Sequence, residues 1–223
     1  ILSLDPHRYN DADSTYVFEL IHDTIMILDK EKKVQPHLAE SWTVSDDGLS
    51  WTLKFRNGIK FHDGSVLSAD DVVFTIERIL ENKWPEGRKK ERIDMVESIK
   101  KVDDLTVNFT LKYAYAPFDA ALATTHVLPM KAIQEMGDDP YAKAPIGCGP
   151  FKFVEWVPND HVTLTGFEEY WLVKPKLVKV DIRPIPENAV AVANLLAGDV
   201  DFINDIVSNN LNQLQAAANK GIE

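Results

Sequence analysis

Six histidines, a single cysteine and 35 carboxylate side chains are the raw material for chemistry in this 223-residue sequence. The histidines stand at positions 7, 22, 37, 62, 126 and 161. No two are four apart, so the paired imidazoles that a His-Glu-x-x-His zinc site places on one helix face are absent. No Gly-x-Ser-x-Gly elbow offers a serine nucleophile. Gly147-Cys148-Gly149-Pro150 looks superficially like a phosphate cradle, but Pro150 removes a backbone N–H where such a loop needs donors. Cys148, between two glycines, is approachable, yet no nearby His or Asn supplies a base, and a free cysteine is far more often a small buried residue in a turn. Asp199, Asp201 and Asp205 lack the glycine and glutamate of a calcium loop and read as a solvated rim. These residues therefore give no reason to expect a catalytic centre, a cofactor or a metal.

Composition narrows the partners. Hydrophobic residues make up 45% of the chain, enough to bury a real core. The longest uncharged apolar stretch, 189–197, is well short of the roughly 20 residues that span a bilayer. A net charge of -11 repels polyanions, so nucleic acid is not an expected partner. One cysteine excludes an internal disulfide. The sequence opens Ile1-Leu2-Ser3-Leu4-Asp5, without an initiator Met or a basic-then-apolar leader, and is expected to have been processed or trimmed.

The elements that must position any site follow from periodicity. Val17, Leu20, Ile21, Thr24 and Ile25 recur at helical spacing and predict a helix over 16–28. Trp51, Leu53 and Phe55 alternate with Thr52, Lys54 and Arg56, between turns at Asp46-Asp47-Gly48 and Asn57-Gly58, and predict a half-buried hairpin strand. Ser68-Ala69-Asp70-Asp71 caps a helix carrying Val72, Ile76, Ile79 and Leu80, which stops by Pro85. Residues 82–92 then read as a polar loop around Trp84. Leu105, Val107, Phe109 and Leu111 give another strand, and a Pro-, Gly- and Asp-rich passage covers 136–150. Strands are expected at 151–156, 161–165 and 179–183, with a turn at Pro158-Asn159-Asp160. A helix over 188–197 should end on Gly198 in the left-handed conformation. A short strand near 200–203 and a helix over 208–220 complete a mixed α/β chain without repeats.

Taken together, Leu4-Asp5-Pro6-His7, Pro36-His37-Leu38-Ala39-Glu40-Ser41-Trp42 with Ser45-Asp46-Asp47-Gly48, Trp51 through Gly64, and Ser68 through Phe74 resemble the family-5 extracellular solute-binding proteins. The resemblance continues in Gly147-Cys148-Gly149-Pro150-Phe151, in Tyr170-Trp171 and in Ala197-Gly198-Asp199-Val200-Asp201. Cys148 replaces a usual Thr, and Phe167-Glu168-Glu169 replace a usual Arg-Asn-Pro. These motifs make turns, caps and core contacts, so they carry the fold and say little of the ligand.

The resemblance implies a periplasmic-binding-protein-like (type II) lobe. Residues 1–27 and 145–223 would form its main part and 28–144 an inserted α+β subdomain. A second lobe, and a returning segment that completes the first, would lie outside this chain. It implies the substrate-binding component of an ABC importer, which captures peptides or similar small solutes and delivers them to membrane permease subunits. Such a protein would be a monomer in the periplasm or outside the cell, with or without a lipid anchor. A ligand-sensing or chaperone-like protein that keeps the fold without transport is the alternative. Within the lobe, Asp13, Ser14, Thr15 and Tyr16 follow the Leu-Asp-Pro turn where the family places cleft-facing residues, and extended backbone there would pair with a peptide as an added strand. A helix cap at Asp13 or Ser14 is the plainer reading. Trp84 would be an aromatic wall, with Arg88 taking a carboxylate. His126 is a weaker candidate, better read as a structural histidine.

Overall fold

The structure, a computed structural model, describes residues 1–81, 83–87 and 89–204. Two compact units divide the chain, one covering Ile1–Ile182 and the other starting at Arg183. In chain order the first holds α1 (Ala12–Ile21), β1 (Met26–Leu28), β2 (Val34–Pro36), β3 (Ala39–Val44), β4 (Ser50–Phe55) and α2 (Ala69–Leu80). After a 3-10 turn at Pro85–Gly87 come α3 (Lys89–Arg92), β5 (Val96–Asp103), β6 (Thr106–Leu111), α4 (Phe118–Leu122), α5 (Met130–Met136) and α6 (Asp138–Tyr141). The unit closes with β7 (Phe151–Val157), β8 (His161–Gly166) and β9 (Lys179–Ile182). In the second unit α7 (Asn188–Ala197) ends on Gly198 at φ 80°, the left-handed stop expected from the sequence.

Among the described residues every strand pairing is antiparallel. The order β3-β4-β6-β5 makes a four-stranded sheet, β7-β8-β9 a three-stranded one, and β1-β2 a small hairpin. Period-two patterning explains the larger sheet. Trp51, Leu53 and Phe55 face inward from β4, and Phe109 and Val107 oppose Trp51 and Leu53 directly on β6. Val72, Ile76 and Ile79 of α2 cover this face. At the start of α2 the Asp71 carboxylate accepts from both the amide and the hydroxyl of Ser68, each at 2.9 Å. A second core joins Leu4 and the α1 residues Val17 and Ile21 to Phe151, Val162 and Leu164.

Three expectations are corrected. The first helix begins at Ala12, not at Tyr16, because Asp11 caps it by accepting from the Ser14 amide at 2.9 Å. It stops at Ile21, and Met26–Leu28 form a strand on Val34–Pro36 rather than a continuing helix. Here tertiary pairing overrides the apolar spacing, since the Ile25 amide is taken by the Thr125 carbonyl at 3.0 Å. Residues 200–203 form no strand. The helix expected over 208–220 lies outside the described residues.

The glycine-flanked cysteine turns out to be a close-packing device. A Cβ on Gly147 would sit 2.0 Å from the Ile21 carbonyl oxygen, and one on Gly149 would sit 2.7 Å from the Ile21 carbonyl carbon. His62 locks the turn from the other side. Its Nε2–H donates to the Gly149 carbonyl at 2.9 Å while Nδ1 accepts from the Gly147 amide at 3.2 Å. Those two bonds define a neutral imidazole, and burial lowers its pKa to about 4. Cys148 itself has no exposed surface, and burial pushes its thiol up, which fits a packing residue and not a nucleophile.

The segment after β8 is pinned repeatedly. Phe167 meets the His62 ring edge-on at 5.0 Å, Glu169 pairs with Lys60, and Asp23 holds Tyr170 and Trp171. Beyond it the chain runs exposed, with Leu172, Val173, Leu177 and Val178 between 59% and 81% accessible before β9. Among the described residues β9 pairs with β8 alone.

Candidate ligand site

The Leu4-Asp5-Pro6-His7 motif builds the floor of the candidate site. Asp5 turns back on itself, its carboxylate accepting from the His7 amide at 2.9 Å. Arg78, near the end of α2, reaches that same carboxylate with both Nη atoms, at 3.2 and 2.6 Å. The Arg78 side chain is 5% exposed and that of Asp5 not at all. Arg78 also donates to His7 Nδ1 at 2.9 Å and to Asp138 at 3.0 Å. Burial opposes the Arg78 charge, but the two carboxylates outweigh it and push its pKa up. A two-pronged, desolvated pair of this kind fixes the turn after Leu4 against α2 and the start of α6.

Trp84 stands on this floor. The guanidinium carbon of Arg78 is 4.2 Å from its ring centre, that of Arg8 5.0 Å, and the Lys83 ammonium 5.0 Å. Arg8 is tied to Asp139 at 2.8 Å and Lys83 to Asp138. Arg8, Lys83, Trp84, Asp138 and Asp139, with Gly137 and Pro140, line an open groove of about 380 Å³. The indole is half-buried, not sunk in the core of the larger sheet. Its loop also touches the chain that enters α1. Gly87 packs so closely on His7 that a Cβ would lie 2.1 Å from the His7 carbonyl oxygen, and Arg92 donates to the Asn10 side chain at 3.1 Å.

Asp13 and Tyr16 lie on α1 with their side chains exposed, Tyr16 at 44%. Ser14 is fully buried, and its hydroxyl oxygen accepts from the amides of Leu2 and Ser3 at 2.9 and 3.3 Å. Thr15 gives its hydroxyl to the Asp11 carbonyl at 2.8 Å. The expected strand-like backbone for pairing a peptide is corrected, because residues 12–21 are helical and the Ser14 and Thr15 amides are already taken by Asp11. Residues 1–11 precede α1 without helix or strand, and Tyr9–Asp11 lead directly into it. Arg88 lies outside the described residues. His126 is buried, edge-on to Phe18 at 5.2 Å. Sequence reasoning missed Arg8, Arg78, Asp138 and Asp139, whose roles arise from contacts across the fold. Among the described residues no cluster of His, Cys, Asp and Glu could hold a metal ion.

The fold is that of a periplasmic binding protein lobe. It is similar to the ABC transporter-associated periplasmic binding protein DppA from Helicobacter pylori in complex with the peptide STSA. The TM-score is 0.89 at 30% identity, covering 96% of this chain and 46% of that one. It is also similar to NikZ from Campylobacter jejuni in complex with Ni(L-His), with a TM-score of 0.85 at 28% identity over 96% of this chain and 43% of that one. Residues 33–223 match the family model described as bacterial extracellular solute-binding proteins, family 5 Middle, and the chain belongs to that family. Among curated relatives it is 35% identical over 201 residues to the oligopeptide-binding protein AppA of Bacillus subtilis (strain 168). That match covers 87% of this chain but 37% of AppA, so the chain spans well under half the length of this relative.

Proposed function

We propose that this chain is the ligand-gripping first lobe of the substrate-binding component of an ABC importer. It captures peptides or similar small solutes against a second lobe and delivers them to membrane permease subunits. It makes and breaks no bond, and it works in the periplasm or outside the cell. The observation that carries this reading is the family match over residues 33–223. The groove beside Trp84 supports it, being an aromatic wall with ionic groups on both sides and no nucleophile-base pair. No helix among the described residues is long and apolar enough to cross a membrane. The two cores support the lobe's division, with residues 1–27 and 145–223 forming its main part and 28–144 an insertion. One core gathers Leu4, Val17 and Ile21 with Phe151, Val162 and Leu164, and the other centres on the four-stranded sheet and α2, with Ile25, Met26 and Cys148 entering it from the flanking segments.

The binding residues proposed are Trp84, which lines the groove, and Asp13 and Tyr16, which are exposed on α1 outside it. Ser14 and Thr15 act one step removed, by holding the chain that leads into α1. Native mass spectrometry of the intact protein tests the reading directly, and it should find a co-purified peptide or comparably small solute. A protein that carries none, and that gives no heat with a peptide pool or a nickel-histidine complex in calorimetry, sinks it.

A further inference from the structure

Asp23 and His37 meet in an arrangement that counts protons. Asp23, between α1 and β1, is 6% exposed. Its carboxylate accepts from the Trp171 indole at 2.7 Å and from the Tyr170 hydroxyl at 3.2 Å. The third group facing it is Nε2 of His37, 3.8 Å from Oδ1, on a side chain 7% exposed. The other ring nitrogen of His37, Nδ1, lies 3.0 Å from the Thr24 carbonyl oxygen. A carbonyl oxygen only accepts, so Nδ1 carries a hydrogen. In neutral His37 that leaves Nε2 as a bare lone pair, opposite an oxygen of an ionised carboxylate. Two buried acceptors facing each other cost both repulsion and desolvation, and a single proton between them turns the contact into a charge-assisted pair.

The surroundings add no other proton to the contact. Arg56, just after β4, donates Nε–H to the His37 backbone carbonyl at 2.7 Å and lies 5.5 Å from the Trp171 ring centre, so its charge is spent beside the pair and not between its members. Burial pushes the thiol of Cys148 up, and burial together with Asp23 does the same to the Tyr170 hydroxyl, so both stay neutral. Burial also raises the Asp23 carboxyl, against the pull of His37, Trp171 and Tyr170. The His37 and Trp171 rings are 5.2 Å apart, so a change at the imidazole is felt at the indole.

We propose that Asp23 and His37 hold one proton in common at neutral pH, and that this proton helps fasten the Tyr170–Trp171 segment to the α1–β1 junction as a proton-dependent latch. The sign follows from linkage. Unfolding separates the two groups, so the proton is then no longer held between two buried acceptors. A folded state that holds a proton the unfolded chain releases is favoured at lower pH, so the latch's contribution is lost as pH rises.

Urea unfolding of the intact protein, followed from about pH 6 to about pH 9, tests this. The wild type should lose stability across that range. Asp23→Asn keeps an acceptor for Trp171 and offers N–H to the bare Nε2, so it should stay folded and lack this loss. Because the chain has five tryptophans, the Trp171 signal is isolated by difference from Trp171→Phe. That emission should change with pH in the wild type and stay flat in Asp23→Asn. If Asp23→Asn does not fold, His37→Gln takes its place with the same expectation. Independently of any variant, side-chain nitrogen NMR reads the wild-type ring directly. The same pH dependence in the wild type and the folded variant overturns the latch. So does a His37 ring that is neutral at pH 7 while Asp23 is ionised.

Discussion

The Arg78 guanidinium carbon sits 4.2 Å from the centre of the Trp84 ring, while its Nη atoms hold the fully buried Asp5. One side chain therefore joins the turn after Leu4, the last turn of α2 and the aromatic wall of the groove. Anything that moves Arg78 moves both floor and wall.

Removing the wall alone should affect ligand and not fold. Trp84→Ala in the intact protein is expected to weaken binding of the co-purified solute by about 1–3 kcal/mol, or roughly five- to 150-fold, as for other aromatic anchors. Calorimetry reads the affinity and thermal unfolding the stability. Unchanged affinity with a lowered Tm would make Trp84 a packing residue only.

Removing the floor should affect fold first. Arg78→Met strands the Asp5 carboxylate without its partner in a site where the Arg78 side chain is 5% exposed. Breaking one half of such a pair costs about 3–5 kcal/mol. Urea unfolding should show that loss, and the double variant Asp5→Asn/Arg78→Met should recover part of it. A double variant as unstable as the two single losses added together would show that the pair is not coupled.

His62 sets an acid limit. Its pKa is lowered to about 4, chiefly by burial, against about 6.5 in an unfolded chain. The unfolded state therefore binds more protons between these values, and stability falls as pH drops from about 6.5 toward 4, by up to roughly 3 kcal/mol. His62→Gln keeps a donor for the Gly149 carbonyl and cannot be protonated, so its stability should vary less over that range. Equal acid sensitivity in the two proteins would place the titrating group elsewhere.

Cys148 should be silent until the protein opens. With no exposed surface and its thiol pushed up by burial, it is expected to resist a thiol reagent in the native state and to react on unfolding in urea. Cys148→Ser should leave ligand affinity within about threefold and cost on the order of 1 kcal/mol, as ordinary single substitutions do. Rapid labelling of the folded protein would contradict this.

Legibility in the sequence tracked the range of the forces involved. β4, β6 and α2 were readable because alternation, a Ser-Asp cap and turn glycines act over a few residues. The start of α1 was misplaced by four residues, since the polar cap at Asp11 is weaker to the eye than the apolar spacing further on. The end of α1 was hidden because Ile25 bonds to Thr125, a hundred positions away. The same reason concealed Arg78, whose partners Asp5 and Asp138 are 73 and 60 positions off. Trp84 stood out as a lone aromatic in a polar loop, but nothing near it in sequence announced that Arg8 would be its neighbour.

The side of β9 that no described strand pairs, and the exposed Leu172, Val173, Leu177 and Val178, have a practical bearing on handling. Unpaired strand edges recruit other strands, and neighbouring bare apolar side chains hold what is recruited. A preparation of these 223 residues alone should scatter more light as it is concentrated, and a lysine in place of Val178, which is 81% accessible, should keep it clear. Whatever shields that border in the working protein also sets how densely it can be packed before it clumps.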